Sequence, residues 1–125
     1  MTSQLRSSGR LWVYFYLLFL FVVSVLPLKS DLPECLSWDK IAHVFLYFIL
    51  AVMIVKISLV NNKKFGFLSA FIYSSCLGLL IEVIQFFLPY RSFESLDILA
   101  NSLGSFMGVI IYRLIFIKFK FFSTA

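Results

Sequence analysis

Residues 65–88 read FGFLSAFIYSSCLGLLIEVIQFFL, an apolar run broken by one charge, Glu82, and ended by Pro89. A helix rises about 1.5 Å per residue, so a run of this length crosses the roughly 30 Å hydrocarbon core of a bilayer. Pro89 cannot donate a backbone hydrogen bond and drives Leu88 away from helical dihedrals, so the helix is predicted to stop there. An ionisable group in such a segment is costly and faces protein or a water-filled cavity rather than lipid. Glu82 therefore marks an inward face near one end of the helix.

Working outward, three more apolar runs cover about residues 11–28, 39–60 and 96–117. The whole chain is 62% hydrophobic with a mean hydropathy of +0.99, well above the roughly 45–50% apolar content of soluble domains. Four spans consume most of the 125 residues and leave connections too short for a folded soluble unit. The expectation is an all-α fold: one integral membrane bundle of four antiparallel transmembrane helices over residues 1–125, since short links make consecutive helices antiparallel neighbours. The first run exceeds the roughly 7–15-residue core of a signal peptide and has no small-x-small pattern before Pro27 and Lys29, so a retained anchor is expected.

The net charge of +5 comes without a basic arm, which argues against nucleic acid as a partner. The bases read instead as a topology signal. Arg6, Arg10, Lys63, Lys64, Lys118 and Lys120 gather at one set of helix ends, with Lys56 and Arg113 near enough to snorkel there. The other ends hold Lys29, Lys40 and Arg91. Short basic loops stay cytoplasmic, so both termini are expected inside. All six acids, Asp31, Glu34, Asp39, Glu82, Glu94 and Asp97, then fall at the extracytoplasmic pole. Cys35 and Cys76 are expected to be unpaired, one in a connection and one in a span.

Three polar stripes converge on that pole. Asp39, His43 and Tyr47 follow i, i+4, i+8 on the second helix, as Asp97, Asn101 and Ser105 do on the fourth, so each set shares a helix face. Glu82 and Gln85 lie one turn apart on the third, and Arg91 sits in the next loop. Gly78 leaves room for a close neighbour one turn below Glu82, and Gly104-x-x-x-Gly108 is a small-residue packing surface. Plainer roles stand beside a functional one. Asp39 and Asp97 suit first turns after Ser37 and Ser95, His43 suits a hydrogen-bonded packing position, and Glu82 suits an ion pair with Arg91 or Lys40.

The order Asp39-Lys40-x-x-His43, Glu82-x-x-Gln85, Arg91, then Asp97-x-x-x-Asn101-x-x-Gly104 resembles the VanZ-like family of small bacterial membrane proteins. The likeness covers the second to fourth spans and implies a multi-pass protein of the bacterial plasma membrane. It also implies an association with tolerance of lipoglycopeptide antibiotics such as teicoplanin, and assigns no catalytic role. The expected site comprises Asp39, Lys40, His43, Glu82, Gln85, Arg91, Asp97 and Asn101.

Three function classes remain open. The first is a non-enzymatic protein binding membrane lipid, a lipid-linked envelope precursor or a lipoglycopeptide, with Lys40 and Arg91 available for phosphate. The excess of acids at the pole opposes an anion unless a cation bridges them. The second is an enzyme acting on a lipid-linked substrate, with His43 and Glu82, Asp39 or Asp97 as acid–base groups or ligands of a divalent cation. No H-E-x-x-H or G-x-S-x-G signature supports it, and no cofactor is expected. The third is proton- or ion-coupled transport, disfavoured by the apolar inner half of the spans.

Overall fold

The computed structural model describes residues 2–26, 38–61 and 63–123, with side chains described between residues 8 and 120. Among these residues the chain is all-helical: α1 (Thr2–Val25), α2 (Trp38–Val60), α3 (Gly66–Phe86) and α4 (Ser95–Ser123). Each helix is long and apolar enough to cross a membrane. Asp31, Glu34, Lys29, Cys35, Ser37 and the expected end of the first span lie outside the described residues.

Two helices outrun their apolar segments. α1 begins at Thr2 and α4 continues to Ser123, because a helix propagates through polar residues once nucleated, and hydropathy marks only the embedded part. α3 stops at Phe86, earlier than Pro89 alone demands. There Phe87 N–H donates to the Ile84 carbonyl (3.1 Å) and Leu88 N–H to that of Gln85 (2.9 Å). These i to i−3 bonds tighten the last turn before the proline.

Consecutive helices run antiparallel, so α2 and α4 run parallel. Lys40 meets Asp97, His43 meets Asn101, and the Val44 and Phe48 carbonyls face Gly104 and Gly108, all at a nearly constant register. This parallel pair forms the most extensive helix interface. A Cβ on Gly104 would collide with the Val44 carbonyl, and one on Gly108 would lie 2.6 Å from the Phe48 oxygen. Glycine at both positions lets the backbones touch, and close approach replaces the hydrophobic drive that lipid removes.

α3 completes the core through Ala70, Ser74, Gly78 and Ile81, all buried. α1 is peripheral, with only 11% of its span buried. It is held by Leu20, packed with Tyr47, Leu50 and Ile81, and by Tyr16 Oη donating to the Leu46 carbonyl at 2.8 Å. Large apolar side chains such as Leu18, Leu80, Leu103 and Phe106 point outward, as a lipid-facing surface requires.

Candidate functional site at the acidic pole

Asp39 and Asp97 occupy the first turns of α2 and α4, where the helix macrodipole favours a negative charge. Because these helices are parallel, both N-termini open at the same end, which brings the two carboxylates together. Lys40 Nζ donates to Glu94 Oε2 at 2.7 Å and stands 3.5 Å from Asp97 Oδ1. Arg91 Nη1 lies 3.9 Å from Asp39 Oδ2. One helical turn deeper, His43 Nδ1 donates to Asn101 Oδ1 at 2.8 Å, and both residues are buried. The His43 ring lies parallel to that of Tyr47, with centroids 6.5 Å apart.

Glu82 is 1% exposed. Its Oε1 accepts the backbone N–H of Glu94 at 2.8 Å, just before α4 begins. That bond satisfies a donor at the helix entrance which the α4 ladder leaves free. The expected ion pair of Glu82 with Lys40 or Arg91 is replaced by Lys40–Glu94 and Arg91–Asp39. The reason is geometric: Glu82 is turned toward the loop backbone, while both cations meet carboxylates nearer the rim.

Gln85 braces the bundle. Its Nε2 donates to the Ser24 carbonyl at 2.7 Å, an acceptor shared with Arg91 Nη2 at 3.2 Å, and Tyr90 Oη donates to the Val25 carbonyl at 3.0 Å. The end of α1 leaves its last carbonyls without helical partners, and α3 and the α3–α4 loop supply them. Ser105 Oγ donates back to the Asn101 carbonyl at 2.9 Å.

Several buried polar atoms at this pole have no hydrogen-bond partner: Glu82 Oε2, Asp97 Oδ1, Asn101 Nδ2, Tyr47 Oη and Arg91 Nε. Gly78 belongs to the same region, since a Cβ there would lie 2.8 Å from Asn101 Cβ and 3.1 Å from Tyr47 Cε1. Leaving such atoms unsatisfied costs roughly 1–3 kcal/mol each. Each such atom calls for a partner, whether water, an ion or a ligand. Outside them, an open cleft of about 340 Å³ is lined by Lys40, Ser92, Phe93, Glu94, Ser95 and Leu96. A cavity of about 310 Å³ at the opposite end, between α1 and α2, is lined mainly by apolar side chains including Trp12, Val13, Met53 and Ile57. It gathers none of these unsatisfied groups.

Among the described residues, the His and carboxylate groups disposed to share a metal ion are Asp39, His43 and Asp97, whose ligand atoms lie within 4.8 Å of one another. Of the expected ligands, Glu82 falls outside this set. Glu94 and Ser24 were not legible as site residues. Glu94 reads as a loop acid until the parallel α2–α4 register sets it against Lys40, and a backbone carbonyl on α1 has no sequence signature.

The fold and this pole define a multi-pass α-helical membrane protein with a buried polar site at one end of the bundle. The chain belongs to the family described as VanZ/LLP1, whose profile matches residues 10–117. It is similar to Protein VanZ of Enterococcus faecium, with 36% identity over 55 residues, covering 44% of this chain and 34% of that protein. It is also similar to Uncharacterized protein C11E3.10 of Schizosaccharomyces pombe, with 27% identity over 96 residues, covering 77% of this chain and 59% of that protein. The chain thus spans less than two-thirds of the length of either relative. No solved structure matches it.

Proposed function

We propose that this VanZ-like membrane protein binds the polar head of a lipid or cell-envelope molecule at its acidic pole, facing out of the cytoplasm in the bacterial plasma membrane. Binding there alters tolerance of lipoglycopeptides such as teicoplanin, the phenotype associated with VanZ-like proteins. The observation that carries this reading is the set of buried polar atoms without a hydrogen-bond partner on Glu82, Asp97, Asn101 and Tyr47, with Glu82 bonded to the backbone of Glu94, which lines the cleft. Lys40 and Arg91 at the rim suit a phosphate once a cation balances the surrounding carboxylates. The wall of the cleft is amphipathic, with Phe93 and Leu96 beside Lys40 and Glu94, as a molecule with one end in lipid requires.

The test is expression of wild type, Glu82→Gln, His43→Ala and Asp97→Asn in a teicoplanin-sensitive bacterium, with folded membrane level and drug tolerance measured in the same cultures. Wild type is expected to raise tolerance, and the variants to lose the effect at unchanged folded levels. Tolerance that falls only as folded protein disappears makes the cluster a structural network and sinks the proposal.

A further inference from the structure

We infer that the acidic pole holds one divalent transition-metal ion between α2 and α4, ligated by the Asp39 and Asp97 carboxylates and by His43 Nε2, with Asn101 as a positioning residue. The three residues offer ligand atoms within 4.8 Å of one another. Small side-chain rotations close that spread onto an ion with ligand bonds of about 2.0–2.2 Å.

The histidine supplies the first argument. Asn101 Oδ1 can only accept, so the 2.8 Å contact puts a ring proton on His43 Nδ1, and in the neutral imidazole Nε2 then carries the lone pair. That nitrogen lies 3.8 Å from Asp39 Oδ1, too far for a hydrogen bond. Two lone-pair atoms facing each other at this distance are stabilised by a cation between them. An imidazole oriented through its other nitrogen by a buried partner is how metal-ligating histidines are held.

The fixed cations at this pole are already engaged. Lys40 is engaged by Glu94 at 2.7 Å, and Arg91 donates to the Ser24 carbonyl. Their approaches to Asp97 and Asp39, 3.5 and 3.9 Å, exceed hydrogen-bond length. Asp97, only 6% exposed, keeps Oδ1 without a hydrogen-bond partner, as Glu82 keeps Oε2. With His43 neutral and all four carboxylates ionised, Asp39, Glu82, Glu94 and Asp97 outnumber Lys40 and Arg91 by two charges at the described part of this pole. One divalent ion balances them.

A nitrogen with two carboxylates suits Zn²⁺ or Mn²⁺ better than the all-oxygen preference of Ca²⁺ or Mg²⁺. The consequence for ligand binding, which rests on the function proposed above, is that the ion turns a net-negative pole into one that accepts phosphate.

The test uses the full chain purified in detergent through a histidine-free tag, stripped with chelator, and titrated with Zn²⁺ and with Mn²⁺. We expect one ion per chain, loss of binding in His43→Ala and Asp97→Asn, and about 10–100-fold weaker binding in Asn101→Ala. Cu²⁺-loaded wild type should show a directly coordinated imidazole nitrogen by pulsed EPR, a readout that stands even where a variant does not fold. Folded wild type without a stoichiometric ion, binding undiminished in His43→Ala, or a copper spectrum without nitrogen overturns the site. Metal bound by wild type while the variants keep full drug tolerance sinks the ligand reading and leaves the ion. Tolerance lost in the variants when wild type binds no ion does the reverse.

Discussion

Glu82 Oε1 accepts the Glu94 backbone N–H at 2.8 Å while Glu82 Oε2, equally buried, has no partner. One carboxylate thus serves the fold with one oxygen and leaves the other without a hydrogen bond. Glutamine can keep the first role, so Glu82→Gln is expected to hold stability within about 1 kcal/mol, whereas Glu82→Leu strands the N–H and costs about 1–3 kcal/mol. Chemical unfolding of the detergent-solubilised protein checks both. Equal losses in the two variants would refute this division of labour.

Gly104 and Gly108 set the α2–α4 distance. Gly104→Ala drives a methyl into the Val44 carbonyl and is expected to cost about 1–3 kcal/mol, the usual penalty of overpacking. Site residues on both helices shift with it, so drug tolerance should fall as well. An alanine variant as stable as wild type would show that the helices do not approach this closely.

Tyr47 carries a buried hydroxyl without a partner. Tyr47→Phe removes a desolvated group and no hydrogen bond, so thermal stability should stay level or rise by up to about 1 kcal/mol. On the proposed function, tolerance should drop in the same variant, because the ligand would take up this hydroxyl. A stability loss above 1 kcal/mol contradicts this arrangement.

Gln85 and Arg91 share the Ser24 carbonyl. Interhelical hydrogen bonds in membranes average about 0.6 kcal/mol, with a maximum near 1.7, and Gln85→Leu should fall in that range. The double variant with Arg91→Ala should deviate from additivity, because the two donors use one acceptor. A double-mutant unfolding cycle measures the coupling, and strict additivity would separate the two contacts.

Orientation is open to direct test in a Cys35→Ser, Cys76→Ser background. Ser92→Cys, beside the cleft, should react with a membrane-impermeant maleimide in intact cells. Lys64→Cys should react only after permeabilisation. The opposite pattern inverts the topology and places the pole in the cytoplasm.

Four apolar runs were legible as membrane helices because hydropathy accumulates along the chain and needs no knowledge of neighbours. The stripes Asp39-His43-Tyr47 and Asp97-Asn101-Ser105 were legible because side chains at i, i+4, i+8 share a face in any helix. Position along a helix is a local property, so the depth of Glu82 and its setting at one end of α3 followed from the run around it.

Partners are not local. Whether Glu82 meets Lys40 or the Glu94 backbone depends on how each helix is rotated and how far it slides against the next. Those two variables were settled where Gly104 and Gly108 let α4 lie against the α2 backbone. That contact places Asp39 beside Asp97, gives His43 to Asn101, and makes Glu94 a site residue. Spacing carries the periodicity of one helix, but the rotation and register of two are fixed only by their packing against each other.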